Sequence, residues 1–144
     1  MLRTILITGA SSGIGASTAI AFAKPNNRLI LVSRKNREGL KKIEDEGRER
    51  GAEVLSILAD VSDYEACKLL VQQAVERFGT IDLLVNDAGV SHIGLFQDMT
   101  PDEWQRVMNV NIGSVMNLCH LVIPSMVHRH LSLIHISEPT RLRC

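Results

Sequence analysis

The chain has no excess of charge. Its 144 residues hold 16 Lys and Arg against 16 Asp and Glu. That balance removes the electrostatic case for a nucleic-acid or anionic-membrane partner. Cysteine is scarce, with Cys67, Cys119 and Cys144 alone. The odd number and the absence of any metal-ligand spacing exclude a disulfide framework or a metal site and point to reduced, cytoplasmic surroundings. No apolar run approaches the ~18–20 residues of a membrane span. No targeting leader is expected, because Met1-Leu2-Arg3 runs straight into a short strand. Internal repeats and low-complexity segments are also missing. What remains, 45% hydrophobic and 22% charged residues, is the make-up of one modest globular domain.

The stretch that organises this domain is Thr8-Gly9-Ala10-Ser11-Ser12-Gly13-Ile14-Gly15, behind the apolar run Ile5-Leu6-Ile7 and ahead of an alanine-rich helical segment. Strand, glycine turn and helix start is the arrangement that binds a dinucleotide pyrophosphate. The free N–H groups of the first helical turn point at the phosphates, and the helix dipole favours their charge. Glycine is needed where a Cβ would block the turn or the ligand. The spacing is GxxxGxG rather than GxGxxG, and such a turn also joins strands to helices with no ligand at all.

Further along, apolar runs and charged or striped helices alternate. Residues 4–8 predict a first strand and 13–24 a helix, broken by Pro25-Asn26-Asn27. Residues 28–33 predict a second strand, apolar enough to be covered on both faces. Residues 36–50 form a charged helix with Leu40 and Ile43 inward, and 53–59 a third strand ending at Asp60-Val61. Ser62 and Glu65 are placed as a capping box for a helix that Gly79 ends. Residues 81–85 predict a fourth strand, opening onto Asn86-Asp87-Ala88-Gly89. Thr100, Pro101 and Glu103 then start a further helix. It is apolar on most sides from Trp104 to Val127 and so should be buried. The alternation predicts an α/β fold, a Rossmann-type doubly wound parallel sheet of strand order 3-2-1-4.

Four ordered motifs identify a resemblance to the short-chain dehydrogenase/reductase family over about residues 2–129. Residues 8–15 match its TGxxxGIG motif, and Asp60 its acidic residue after the third strand. Asn86-Asp87-Ala88-Gly89 resembles its NNAG motif, and Asn109-Val110-Asn111 the segment with its helical active-site asparagine. Within the family the chain is most similar to bacterial 3-oxoacyl-acyl-carrier-protein reductases. The stretch from Gly89 to Trp104 also resembles reductases of the 5-aminopentanone group on elongation factor P. The resemblance implies that Gly9, Ser11, Ser12, Gly13 and Ile14 wrap the cofactor phosphates. Asp60 and Val61 would meet the adenine, Asn86, Ala88 and Gly89 would lie along the adenosine and ribose, and Asn111 would help hold a water in the proton relay. Asp60 and Asn86 also suit plain strand-end turns. Asp87 departs from the motif's second Asn, since a carboxylate accepts hydrogen bonds but cannot donate them as an amide does. An intact member is expected to act on a small or carrier-bound carbonyl substrate, and to form a homodimer or homotetramer.

The end of the second strand discriminates the cofactor. An acidic residue there would accept from the ribose 2′-OH of NAD. Ser33 and Arg34, followed by Lys35, suit the 2′-phosphate of NADP by hydrogen bond and charge. An exposed basic pair is the other use of Arg34 and Lys35.

Carbonyl reduction in the family uses a tyrosine acid whose pKa a lysine lowers, together with a serine. The only tyrosine here is Tyr64, in Tyr64-Glu65-Ala66-Cys67-Lys68. It precedes the fourth strand, whereas the family's pair follows the asparagine segment and a fifth strand. The catalytic Tyr and Lys are therefore expected to be absent and the chain inactive, which leaves a non-catalytic dinucleotide-binding protein as an alternative. Residues 131–141 break the family pattern and resemble the translation of a transposon-end sequencing adapter, a genuine divergent C-terminus being the competing reading. Residues 1–130 are thus expected to be an incomplete dinucleotide-binding domain and 131–144 a non-native tail. With no fifth strand, Leu83, Leu84 and Val85 would lie on a bare edge prone to aggregation.

Overall fold

A computed structural model describes residues 1–129 and 135–136. The element order is β1 (Arg3–Thr8), α1 (Gly13–Phe22), β2 (Asn27–Ser33), α2 (Arg37–Glu49), β3 (Glu53–Leu58), α3 (Tyr64–Phe78) and β4 (Leu83–Val85). A 3₁₀ turn (Phe96–Asp98) follows. Then come α4 (Pro101–Met108), a π-helical segment (Asn109–Gly113), α5 (Ser114–His128) and β5 (His135–Ile136). The strands form one parallel sheet in the order β3-β2-β1-β4-β5. This is the Rossmann-type order 3-2-1-4 with one strand added.

Strand side chains alternate between faces, and the core splits accordingly. Ile5, Ile7, Leu29, Leu31 and Val54 pack with Ala16 and Ala19 of α1, its C-cap Ala23, and Leu40 and Ile43 of α2. Leu6, Ile30, Val32 and Leu84 face the other way, onto Cys67, Leu70 and Ala74 of α3 and Leu118, Val122 and Met126 of α5. Both faces of the sheet are covered, so its strands carry nearly continuous apolar runs.

Four expectations need correction. The fourth strand starts at Leu83 rather than at residue 81. Asp82 pairs with Thr4 by another route: its N donates to the Thr4 carbonyl at 2.8 Å, and its carboxylate accepts from Thr4 N at 2.8 Å. Ser62 does not cap α3. Its N–H and hydroxyl both donate to Asp60 Oδ1, and Asp63 is the cap, accepting from Glu65 N at 3.0 Å. The edge of β4 is not bare: Leu84 pairs with His135 and Val85 with Ile136. Ladder hydrogen bonds come from main chain, so an open edge accepts a short segment of almost any sequence. Apart from these two residues, the expectation of a non-native tail falls outside the described residues.

The last correction concerns the long helical stretch. It is α4, π segment and α5 in continuous ladder, Pro101–His128, 28 residues, and so does reach membrane-spanning length. Nor is it buried all round. Val110, Leu118, Val122 and Met126 point inward, while Trp104, Met108, Ile112, Met116 and Val127 remain exposed. The buried face packs against α3, as a core helix of a folded domain does.

Candidate active site and cofactor cradle

The carboxyl ends of β1 to β4 deliver the candidate cofactor-binding residues to one edge of the sheet, the place where parallel α/β sheets bind ligands. At the end of β1, Gly9 takes φ +65° and Gly13 φ +57°, conformations that side chains with a Cβ avoid. A Cβ at Gly15 would meet the Gly9 carbonyl oxygen at 2.3 Å, so close packing of turn on helix demands glycine there. A Cβ at Gly13 would meet nothing within 4 Å, so open space lies over the turn. Ser12 is the N-cap of α1, yet its side chain makes no capping hydrogen bond, and the first turn holds no acidic residue. Among the described residues the first-turn N–H groups are thus without a side-chain cap, beneath open space. This arrangement fits a dinucleotide pyrophosphate. Ile14 stands 60% exposed beside it.

The turn is fastened to β2. Ala10 N donates to the Val32 carbonyl at 3.0 Å, and the Ser33 hydroxyl donates to the Ser11 hydroxyl oxygen at 3.1 Å. Ser33 is buried, while Arg34 and Lys35 emerge into solvent at the strand's end. β3 brings Asp60, whose carboxylate accepts from Ser62 Oγ at 2.6 Å and Ser62 N at 3.0 Å. These bonds, chiefly the hydroxyl's, hold its pKa below the ordinary carboxylate value; partial burial opposes them, and the Arg34 and Arg106 cations assist. Val61 turns its side chain into the core, and its carbonyl accepts from Asn117 Nδ2 at 3.1 Å.

β4 supplies the fourth wall. Asp87 N and Ala88 N both donate to Thr8 Oγ1, at 3.0 and 2.9 Å, clasping the ends of β1 and β4 together. Asn86 is buried, with Nδ2 at 3.7 Å from Cys119 Sγ. Gly89 lies close to Asn111, since a Cβ there would sit 3.3 Å from its Oδ1. Asn111, in the π segment, accepts from Val90 N at 2.7 Å and donates to the Val90 carbonyl at 2.8 Å. The side chain therefore clamps the loop after β4. One lone pair and one amide hydrogen remain for a water.

Tyr64 and Lys68 each face another side chain. The Tyr64 ring lies 5.9 Å from the His120 ring, and Lys68 Nζ is 3.4 Å from Glu65. The clasp through Thr8, the link from Ser33 to Ser11 and the contact of Asn86 with Cys119 are not foreseen from the sequence. Only Thr8 carries a signal there, as the residue opening the glycine motif.

A sequence model described as short chain dehydrogenase matches residues 3–137. The 3-oxoacyl-[acyl-carrier-protein] reductase of Thermotoga maritima is 36% identical, over 94% of this chain and 55% of its own length. L-sorbose reductase of Gluconobacter frateurii, solved with NADPH and L-sorbose, superposes with a TM-score of 0.82 at 29% identity, covering 89% of this chain and 49% of that one. A xylitol dehydrogenase solved with NAD+ gives a TM-score of 0.81 at 34% identity, covering 92% and 51%. The chain spans about half the length of the relatives it matches. The sheet order, the glycine turn and these matches make the chain a member of the short chain dehydrogenase family, a family of oxidoreductases that bind NAD(P).

Proposed function

We propose that the chain is the cofactor-holding part of an NADP-dependent reductase that delivers hydride to a carbonyl, with a 3-oxoacyl thioester as the substrate class. The observation that carries the cofactor assignment is the uncapped N-terminus of α1 beside Ser33 and Arg34. The first-turn N–H groups would hold the pyrophosphate, and Arg34 with the Ser33–Ser11 hydroxyl pair would hold the 2′-phosphate. Asp60, the main chain of Val61, and Asn86, Ala88 and Gly89 would line the adenosine. The bound cofactor supplies the hydride; Asn111 fixes the loop over the site and offers its remaining amide hydrogen and lone pair to a water. The likeness to the Thermotoga reductase supports the thioester, and the intact protein would be a homodimer or homotetramer.

A second reading has its own observation. The single tyrosine, Tyr64, sits against His120, and its would-be lysine pairs with Glu65. As it stands the chain would bind the dinucleotide without reducing anything. Loss of the acid removes a contribution of ~10²–10⁴ in rate. Purified chain should therefore show no NADPH-dependent reduction of an acetoacetyl thioester. Turnover abolished by Tyr64→Phe would overturn that. In binding titrations, Arg34→Ala should weaken NADPH by about 1.5–3 kcal/mol and leave NADH nearly unchanged. Equal losses for both cofactors would remove Arg34 from the 2′-phosphate.

A further inference from the structure

The motif that follows β4 carries an acid where an amide would be neutral, and the structure puts that acid in a consequential place. A Cβ on Gly15 would sit 2.7 Å from Asp87 Oδ2, and one on Gly9 3.1 Å from the same oxygen. The carboxylate is therefore wedged between the end of the glycine turn and the first turn of α1. Its own N–H is tied to Thr8 Oγ1, so the backbone that carries it cannot swing away without breaking the β1–β4 clasp. Gly9 has φ +65°, and a Cβ on Gly15 would clash with the Gly9 carbonyl oxygen at 2.3 Å, so the two glycines are what lets the turn, the helix and the carboxylate pack this closely. A carboxylate at this point has two opposite effects. Toward the helix it is favourable, because the N-terminus of α1 is the positive end of the dipole, and neither Ser12 nor a first-turn acid serves it. Toward a pyrophosphate held by the same N–H groups it is a like charge at short range in a partly desolvated setting.

We infer that Asp87 sets the affinity of the cradle: it stabilises the empty glycine turn as a resident anion and weakens the grip of that turn on the cofactor pyrophosphate. This rests on the dinucleotide reading of the site. Its chemical consequence is selective. Ligands that bring a pyrophosphate to the turn feel Asp87, while ligands that engage only the Ser33 and Arg34 end do not.

The test compares the chain with Asp87→Asn, the neutral replacement of the same shape, and with Asp87→Ser and Asp87→Glu. Two probes are titrated calorimetrically: 2′-phospho-ADP-ribose, which carries the pyrophosphate, and adenosine 2′-phosphate, which does not. Asn and Ser should tighten the first probe by on the order of tenfold and leave the second within twofold. Glu, which keeps the charge, should not tighten either. The ligand-free Asp87→Asn protein should melt lower than the parent. A residue with a purely structural role would give a lower melting point with weaker binding of both probes, so tighter binding in a less stable protein is the distinguishing signature. Unchanged or weaker binding of 2′-phospho-ADP-ribose by the neutral variants overturns the role of Asp87 while leaving the cofactor site in place. Failure of both the parent and the variants to bind either probe overturns the dinucleotide reading, and this inference with it. Should the Asn variant not fold, the Ser variant decides on the same criteria.

Discussion

Cys67 shows how one buried side chain becomes a pH-dependent part of the fold. It is fully buried beneath the sheet, and its thiol donates to the Val61 carbonyl at 3.2 Å. Burial, with the nearby Asp63 and Asp60 carboxylates adding to it, pushes the thiol from an ordinary 9.0 up to about 11. The folded state thus keeps its proton where the unfolded chain has lost it. A raised folded pKa means the contribution is complete below pH 9.0 and is lost as the pH rises toward 11. The shift corresponds to about 2–3 kcal/mol. Urea unfolding at a series of pH values should show stability falling over that window, and Cys67→Ala should flatten the fall while costing some packing at every pH. A parallel decline in parent and variant would place the sensitivity elsewhere. Residue types of this kind are legible in a sequence, but their burial is not. Cys67 reads there only as one of three cysteines without metal-ligand spacing, and Asn111 reads only as a motif position. Nothing local says that its amide will reach across 21 residues to Val90.

Among the elements, what the sequence makes legible is what local chemistry decides. Apolar runs bounded by glycine and proline locate β1, β2 and β3 within a residue or so. Thr100, Pro101 and Glu103 specify the start of α4, where Thr100 Oγ1 accepts from Glu103 N and Glu103 returns a bond to Thr100 N at 2.7 Å. Competition decides the rest. Ser62 and Asp63 can each cap α3, and Asp63 wins because Asp60 already holds the Ser62 hydroxyl. The two ends of the sheet centre, β1 and β4, meet through a contact no pattern encodes. Thr8 Oγ1, 1% exposed, accepts the N–H groups of both Asp87 and Ala88. Thr8→Val keeps the shape of the side chain and strands both donors in the interior. Each unsatisfied buried donor costs ~1–3 kcal/mol, so about 2–6 kcal/mol should be lost in chemical denaturation. Thr8→Ser, which retains the oxygen, should recover most of it. If Val and Ser behave alike, the clasp contributes nothing beyond packing.

At the scale of the whole molecule, the parallel sheet is enclosed on both faces but the helical layer over α3 is one helix deep. Trp104, Met108, Ile112 and Met116 recur at four-residue steps along α4, the π segment and the start of α5, and each is exposed. Val127 continues the apolar surface further along α5, and Ile93, Leu95 and Phe96 are exposed in the loop after β4. A soluble monomer rarely shows a stripe of large exposed apolar side chains like this one, and such a stripe binds whatever apolar surface it meets. Each large apolar side chain left in water forgoes ~1.5–3 kcal/mol of burial. The purified chain should therefore bind a hydrophobic dye strongly and associate as its concentration rises. Ile112→Lys with Met116→Lys should cut dye fluorescence severalfold and shift the association to higher concentration. Both side chains already stand in solvent, at 51% and 66% exposure, so removing them empties no core and the folded state should change by less than ~1 kcal/mol. The pairing of β5 with β4 removes the bare β4 edge as a route to aggregation. Dye binding and association that persist undiminished in the double variant would move the sticky surface to the loop of Ile93, Leu95 and Phe96. A parent chain that binds no dye and stays monomeric at high concentration would mean that this helical face is covered in solution.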